Sequence, residues 1–88
     1  MMEMIYPREG MAIYVPRELD GSLGRTVFEL AHRDPPARVF WHLDGDYLGE
    51  TSGNHQMALA PEQGFHTLTL VDEAGNTLSR VFEIVGKQ

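Results

Sequence analysis

Apolar and polar residues alternate over most of this 88-residue chain, with the two-residue period of β-strands. The clearest case surrounds Trp41, which shares its parity with Val39 and Leu43 and would face the same side of a sheet as they do. Leu68 and Leu70 alternate in the same way with threonines. The pattern predicts a sheet with a large aromatic side chain turned inward.

Turn residues follow both of these strands. Asp44 and Gly45 suit a tight hairpin corner after the Trp41 strand, and Asp72 opens a turn toward Gly75 after the second strand. Weaker strand patterns cover residues 3–6, 11–15, 25–32, 47–49, 55–60 and 77–85. No window shows apolar residues at helical spacing without an interrupting proline or glycine.

The segments between these strands predict how the sheets are connected. Residues 3–6 and 11–15 are interpreted as one edge strand broken by a turn, and residues 50–54 as a loop. The prolines at 35 and 36 predict that the chain crosses from one sheet to another before Trp41. We therefore predict an all-β, immunoglobulin-like or fibronectin III-like antiparallel β-sandwich of about seven strands.

Composition narrows the function more than it narrows the fold. A length of 88 residues predicts one domain over residues 1–88, and a net charge of −6 argues against nucleic acid as a partner. The chain has no cysteine, which excludes disulfides and thiolate chemistry. It also lacks the long apolar run that membrane insertion needs. Because Met1 and Met2 directly precede a strand pattern, we expect a domain excised from a larger protein.

Histidines and carboxylates are the candidate chemical groups. His32, His42, His55 and His66 lack the short spacing of metal ligands, so we predict structural or surface roles and no metal or cofactor. His66 in particular is expected to hydrogen-bond to a loop at the end of the sheet.

The carboxylates and hydroxyls give no catalytic pattern. Asp44, Asp46 and Glu50 are close in sequence, and glycoside hydrolysis needs a pair of carboxylates, but turn chemistry explains these three residues more simply. No hydroxyl, including those of Ser52 and Ser79, has an activating signature. We predict no catalytic residue.

Three segments taken together are more distinctive than any single residue. They are Phe40-Trp-His-Leu-Asp-Gly45 with Tyr47-Leu-Gly49, Leu59-Ala-Pro-Glu-Gln-Gly64, and His66-Thr-Leu-Thr-Leu-Val-Asp72 with Gly75. In these segments the chain resembles the small carboxy-terminal domain of bifunctional penicillin-binding proteins of the 1C class. The motif and core positions concerned are Trp41, Leu43, Asp44, Gly45, Gly49, Gly64, His66, Leu68, Leu70, Asp72 and Gly75.

The resemblance implies an accessory domain of a periplasmic, membrane-anchored peptidoglycan synthase, placed after its glycosyltransferase and transpeptidase domains. The Ser-x-x-Lys and Lys-Thr-Gly motifs of transpeptidases are absent, so catalytic activity is not carried over. The expected partners are other domains of the synthase or an envelope protein, met without membrane insertion by this domain.

Two other functions stay open. In the first, the domain binds the glycan strands of peptidoglycan, with Phe40, His42 and Tyr47 as the candidate binding face. Trp41 is assigned to the core because of its parity. In the second, the domain is a structural spacer. Under any of these functions, the edge strands near Met11 and Thr77 are places where another chain could pair.

Overall fold

The computed structural model describes residues 2–87 and confirms the all-β prediction. Eight strands form two sheets, and the described residues contain no helix. The strands are β1 (Met2–Tyr6), β2 (Met11–Pro16), β3 (Thr26–His32), β4 (Val39–Leu43), β5 (Asp46–Thr51), β6 (Gln56–Leu59), β7 (Gly64–Asp72) and β8 (Thr77–Lys87).

The two sheets differ in size. The smaller sheet has the order β1-β3-β6, and the larger has the order β2-β8-β7-β4-β5. The chain crosses from the small sheet to the large one between β3 and β4, where Pro35 and Pro36 predict a crossing. This arrangement is an immunoglobulin-like sandwich whose first strand is divided into two pieces, which is why the count is eight.

The edge strand that the sequence predicts as broken by a turn is present as two pieces, and these pieces lie in different sheets. β1 pairs antiparallel with β3 in the small sheet, whereas β2 pairs parallel with β8 in the large sheet. Met4 is buried from the first sheet, and Ile13 and Val15 are buried from the second. Both pieces therefore cover the same core, but from opposite layers.

The prediction of a loop over residues 50–54 is wrong in its first two positions. β5 extends through Thr51, which pairs with Val39. A part-buried side-chain contact stabilises this extension, since the Nε1–H group of Trp41 donates a hydrogen bond of 2.8 Å to the Thr51 hydroxyl. In the same register Gly49 lies opposite Trp41, and a shift beyond that pair places Tyr47 opposite His42.

The core is a single apolar layer between the sheets. The small sheet contributes side chains such as Phe28, and the large sheet contributes most of the others, including Trp41 and Phe82. The rings of Phe28 and Phe82 meet edge to face across the two sheets, with centroids 5.1 Å apart. Trp41 is 0% exposed, so its indole packs in the core as its parity predicts.

Two sets of side-chain hydrogen bonds connect separate strands at the border of this apolar layer. Nε2 of His32, on β3, donates to a carboxylate oxygen of Asp72, on β7, at 3.0 Å. The backbone N–H of Asp34 donates to Nδ1 of His32, so the ring carries its proton on Nε2. Asp72 thus joins the two sheets as well as opening the β7–β8 turn.

The second set of hydrogen bonds is centred on His55 and Thr51. Nε2 of His55 donates to the carbonyl of Pro35 at 2.8 Å, and Nδ1 of the same ring accepts from the hydroxyl of Thr51 at 2.7 Å. That hydroxyl also accepts from Trp41. The one Thr51 side chain therefore provides hydrogen-bond partners for both the buried indole and the buried imidazole. The β3–β4 crossing is held to β5 by this chain of hydrogen bonds.

Two phenylalanines provide a matched test of the core. Phe82→Ala removes a ring that is 0% exposed, and we expect it to lower the free energy of unfolding by about 3–5 kcal/mol. Phe65→Ala removes a ring that is 73% exposed, and we expect a change within about 0.5 kcal/mol. Urea unfolding of both variants checks this. Equal effects would contradict the sandwich.

The Asp72 contact predicts a response to acid. The hydrogen bond from the side chain of Asn76, and next that from His32, hold the pKa of Asp72 well below its ordinary value of 3.8. Its contribution to stability is therefore present above about pH 4 and is lost as the pH falls further. We expect Asp72→Asn to be less stable at pH 7 and to lose less of its remaining stability below pH ~4.

Urea unfolding over a series of pH values measures this effect. Asp34→Asn is the matched control, because it removes an exposed carboxylate from the same end of the sandwich. Parallel stability curves for the wild type and Asp72→Asn would contradict the assignment.

Candidate interaction surface

The outer face of the large sheet is the candidate interaction surface. Side chains whose parity is opposite to that of the core point outward from β2, β4, β5, β7 and β8. Several of these outward side chains are large and apolar or aromatic. They form two groups, one toward the β2 edge of the sheet and one toward the β5 edge.

The first group, the β4–β5 patch, consists of Arg38, Phe40, His42 and Tyr47. The rings of His42 and Tyr47 lie 5.5 Å apart and are tilted by 58°, and the guanidinium of Arg38 lies 5.8 Å from the centre of the Phe40 ring. Tyr47 is 59% exposed, while Phe40 and His42 are half-buried. The structure thus brings together the three residues predicted as a binding face, and it adds a cation to them.

Nδ1 of His42 is buried without a hydrogen-bond partner among the described residues. Arg38 lies 3.8 Å from carboxylate oxygens of both Glu50 and Glu73, so its charge is shared by two exposed acidic groups. The β4–β5 patch is therefore a mixed aromatic and charged surface.

The second group, the β2–β8 patch, consists of Tyr14, Phe65, Val81, Glu83 and Val85. Tyr14 and Phe65 are 66% and 73% exposed. Glu83 lies opposite Phe65 on β7 and opposite Ala12 on β2, so it sits among the apolar members of the patch. This is the more exposed of the two apolar groups on the sheet.

The sequence predictions missed the β2–β8 patch, although its signal is present in the chain. Tyr14 lies between Ile13 and Val15, which share the opposite parity. Phe65 has the parity of the threonines of β7 and not of Leu68. The same alternation that places Trp41 inward therefore places these two rings outward.

His66 on β7 and Asp44 in the β4–β5 turn form a side-chain contact. Nδ1 of His66 donates to Asp44 at 2.6 Å, and Nε2 of His66 donates to the carbonyl of Glu62 at 2.6 Å. The latter is the hydrogen bond to a loop that its position predicts. Because a carboxylate and a carbonyl only accept, His66 is held with a proton on both nitrogens.

The electrostatics of this pair agree with its geometry. Burial of the ring lowers the pKa of His66, but the hydrogen bonds to Asp44 and to Glu62 raise it by more, so the pKa lies above its ordinary value of 6.5. The hydrogen bond from His66, followed by that from the backbone N–H of Thr67, lowers the pKa of Asp44. Both shifts favour the charged forms, so the ion pair forms over a wider pH range than the ordinary pKa values of the two groups would give.

The remaining motif residues either pack in the core or adopt the backbone conformations that turns and bends need. Leu68 and Leu70 are fully buried and Leu43 packs against the core. Asp44 and Gly45 have φ values of 51° and 90°, as a two-residue hairpin corner requires. Gly49, Gly64 and Gly75 also have positive φ values, of 149°, 124° and 90°.

The three carboxylates that are close in sequence have different surroundings. Asp44 binds His66, Glu50 faces Arg38, and Asp46 is exposed at the start of β5. Within residues 2–87, no group of three or more His, Asp or Glu side chains is placed to hold a metal ion. Nor does this part of the chain contain a helix long and apolar enough to span a membrane.

Comparison with known proteins gives one family match. The model of the Penicillin-Binding Protein C-terminus Family matches residues 1–83. No curated protein matches the chain. The match covers both patches apart from Val85.

The fold is similar to that of solved structures. Fibronectin(III)-like modules of CbhA from Clostridium thermocellum superpose with a TM-score of 0.71 at 11% sequence identity, and the similarity covers 100% of both chains. At that identity the likeness concerns the fold alone, and it confirms the fibronectin III-like prediction.

The Asp44–His66 pair predicts a pH window for stability. The raised pKa of His66 gives stability that is present below pH 6.5 and is lost as the pH rises through the folded-state pKa. The lowered pKa of Asp44 gives stability that is present above pH 3.8 and is lost in more acidic solution. The pair therefore stabilises the fold most between these two values.

We expect Asp44→Asn to lower the pKa of His66, because the carboxylate that favours the charged ring is gone. Asparagine tolerates the positive φ of this position and keeps one acceptor oxygen for Thr67. NMR titration of the His66 ring measures the shift. Asp46→Asn is the control, and an unchanged His66 titration in Asp44→Asn would refute the ion pair.

Proposed function

Because the chain belongs to the Penicillin-Binding Protein C-terminus Family, we propose that it is a non-catalytic accessory domain that docks onto other domains of a peptidoglycan synthase. The synthase would carry glycosyltransferase and transpeptidase activities on those other domains. Docking would take place at the cell envelope, on the periplasmic side of the membrane.

The observation that carries this proposal is the outer face of the large sheet. Tyr14 and Phe65 expose most of their rings there, although a sandwich has no need of aromatic side chains on a solvated face. Aromatic residues are enriched in protein interfaces, where they bury large areas at low entropic cost. The face therefore supports contact with another protein surface.

The polar groups support a binding role over a catalytic one. His32, His55 and His66 are each held on both ring nitrogens by partners within the fold. A general base needs a free lone pair that faces substrate, and these three rings use theirs for structure.

The β4–β5 patch supports glycan binding as a second candidate function. Phe40, His42 and Tyr47 lie on one face, and aromatic rings are the usual contact surface for sugars. The 58° tilt between His42 and Tyr47 means that the two rings do not form one flat platform. Sedimentation with purified sacculi at low salt tests this candidate, and retention that Tyr47→Ala abolishes would favour it.

Photocrosslinking tests the docking proposal. A photoreactive amino acid at position 65 or 47, on the large sheet, should crosslink to the catalytic domains of a peptidoglycan synthase from the same genome. The same group at position 27, on the outer face of the small sheet and 54% exposed, is the matched control. Crosslinks from position 27 alone, or from none of the three, would refute docking through the large sheet.

A further inference from the structure

A sandwich has four strand edges, and three of them here have features that prevent pairing with another chain. β5 has Asp46, Glu50 and the register shift opposite Trp41. β1 has a charged residue and a register shift between Met4 and Tyr6, and β6 is only 4 residues long. Charges, bulges and short length are the usual means by which edge strands avoid association.

The edge of β2 has none of these features. Its six residues, Met-Ala-Ile-Tyr-Val-Pro, include no charged side chain. They keep an unshifted parallel register with β8 from Met11 to Pro16. Pro16 stands only at the end of the strand, where its carbonyl accepts from the backbone of Gly24. The free side of β2 is therefore a regular template for a further strand.

The neighbouring edge of β8 is interrupted at Val81. β8 begins at Thr77, five residues before β2 starts to pair with it at Phe82. Val81 lies in this stretch, and its N–H and carbonyl are bonded to the side chain of Glu9 and to the backbone of Gly10. Of the two edges that the sequence left open, the one along β2 is therefore the longer uninterrupted one, and only at its first residue does a backbone N–H, that of Met11, already donate to a carbonyl, that of Arg8.

We infer that β2 is the place where a partner protein adds an extended strand to the large sheet. This inference rests on the proposed docking function and names its mode. Strand addition satisfies the backbone groups of the edge, and side chains alternating along the added strand give specificity.

The chemistry next to β2 defines the partner segment. Glu83 forms no ion pair within 4.0 Å among the described residues, and the only side chain between it and the free edge is that of Ala12, which is small. A lysine on the added strand reaches across Ala12 to Glu83, while the methylene groups of a second lysine, two residues along on the same face, cover Tyr14. The occupant is thus an extended segment with apolar and basic residues, and a second copy with its own charge of −6 is disfavoured.

A synthetic peptide tests the inference on the intact chain. The probe is an acetylated and amidated heptapeptide of alternating valine and lysine, titrated into isotope-labelled protein and followed by NMR. We expect the amide signals of residues 11–15 to shift and their hydrogen exchange to slow. The same peptide with glutamate in place of lysine should bind about tenfold more weakly, because attraction to Glu83 becomes repulsion.

Two protein variants and a modified peptide are the controls. Tyr14→Lys places a charge on the edge and should abolish binding, whereas Val27→Lys, on the outer face of the small sheet, should not. Glu83→Gln should remove the preference for the lysine peptide over the glutamate peptide. A peptide with alternate amides N-methylated should not bind, because it cannot pair along its full length.

Several results would overturn the inference. These are no shift at millimolar peptide, equal binding of the N-methylated peptide, or shifts confined to β4 and β5. A concentration-dependent dimer that protects β2 and is lost in Tyr14→Lys would assign the edge to a second copy instead. If the synthase domains crosslink equally well to wild type and Tyr14→Lys, docking stands and strand addition fails.

Discussion

The structure depends on burying one indole between two sheets without leaving its N–H group unpaired. An unpaired polar group in an apolar layer costs more than a hydrogen bond returns, so Trp41 needs an acceptor inside the sandwich. Thr51 provides it from the neighbouring strand, and His55 in turn bonds Thr51 and the carbonyl of Pro35. The position of β5 and the path of the β3–β4 crossing follow from satisfying that single group.

Much of the fold can be predicted from the chain because burial in a sheet repeats every two residues. The alternation around Trp41 and Leu70 assigns the inward faces of β4 and β7, and Asp44-Gly45 assigns the corner between β4 and β5. The prediction is incomplete where the local pattern does not say which strands pair with each other. Nothing in residues 3–15 says that β1 and β2 join different sheets, because either arrangement buries Met4 and Ile13.

The candidate surface was predictable only in part, for the same reason. Parity places Phe40 and His42 outward, and it would have placed Tyr14 and Phe65 outward too. It does not bring Tyr14 next to Val85 or Glu83 next to Ala12, because both contacts depend on the parallel pairing of β2 with β8. Likewise, the tie between His32 and Asp72 joins residues 40 positions apart, and no turn signal announces it.

Strand β7 has a histidine–carboxylate contact near each end, through His66 and Asp72. The two residues are six positions apart, or about 20 Å along an extended strand. Sliding β7 by two residues would keep every leucine on its buried side, so hydrophobic alternation alone does not forbid that misalignment. Such a slip would break both contacts at once. The two pairs therefore favour one register of β7 among those that bury the same leucine side chains.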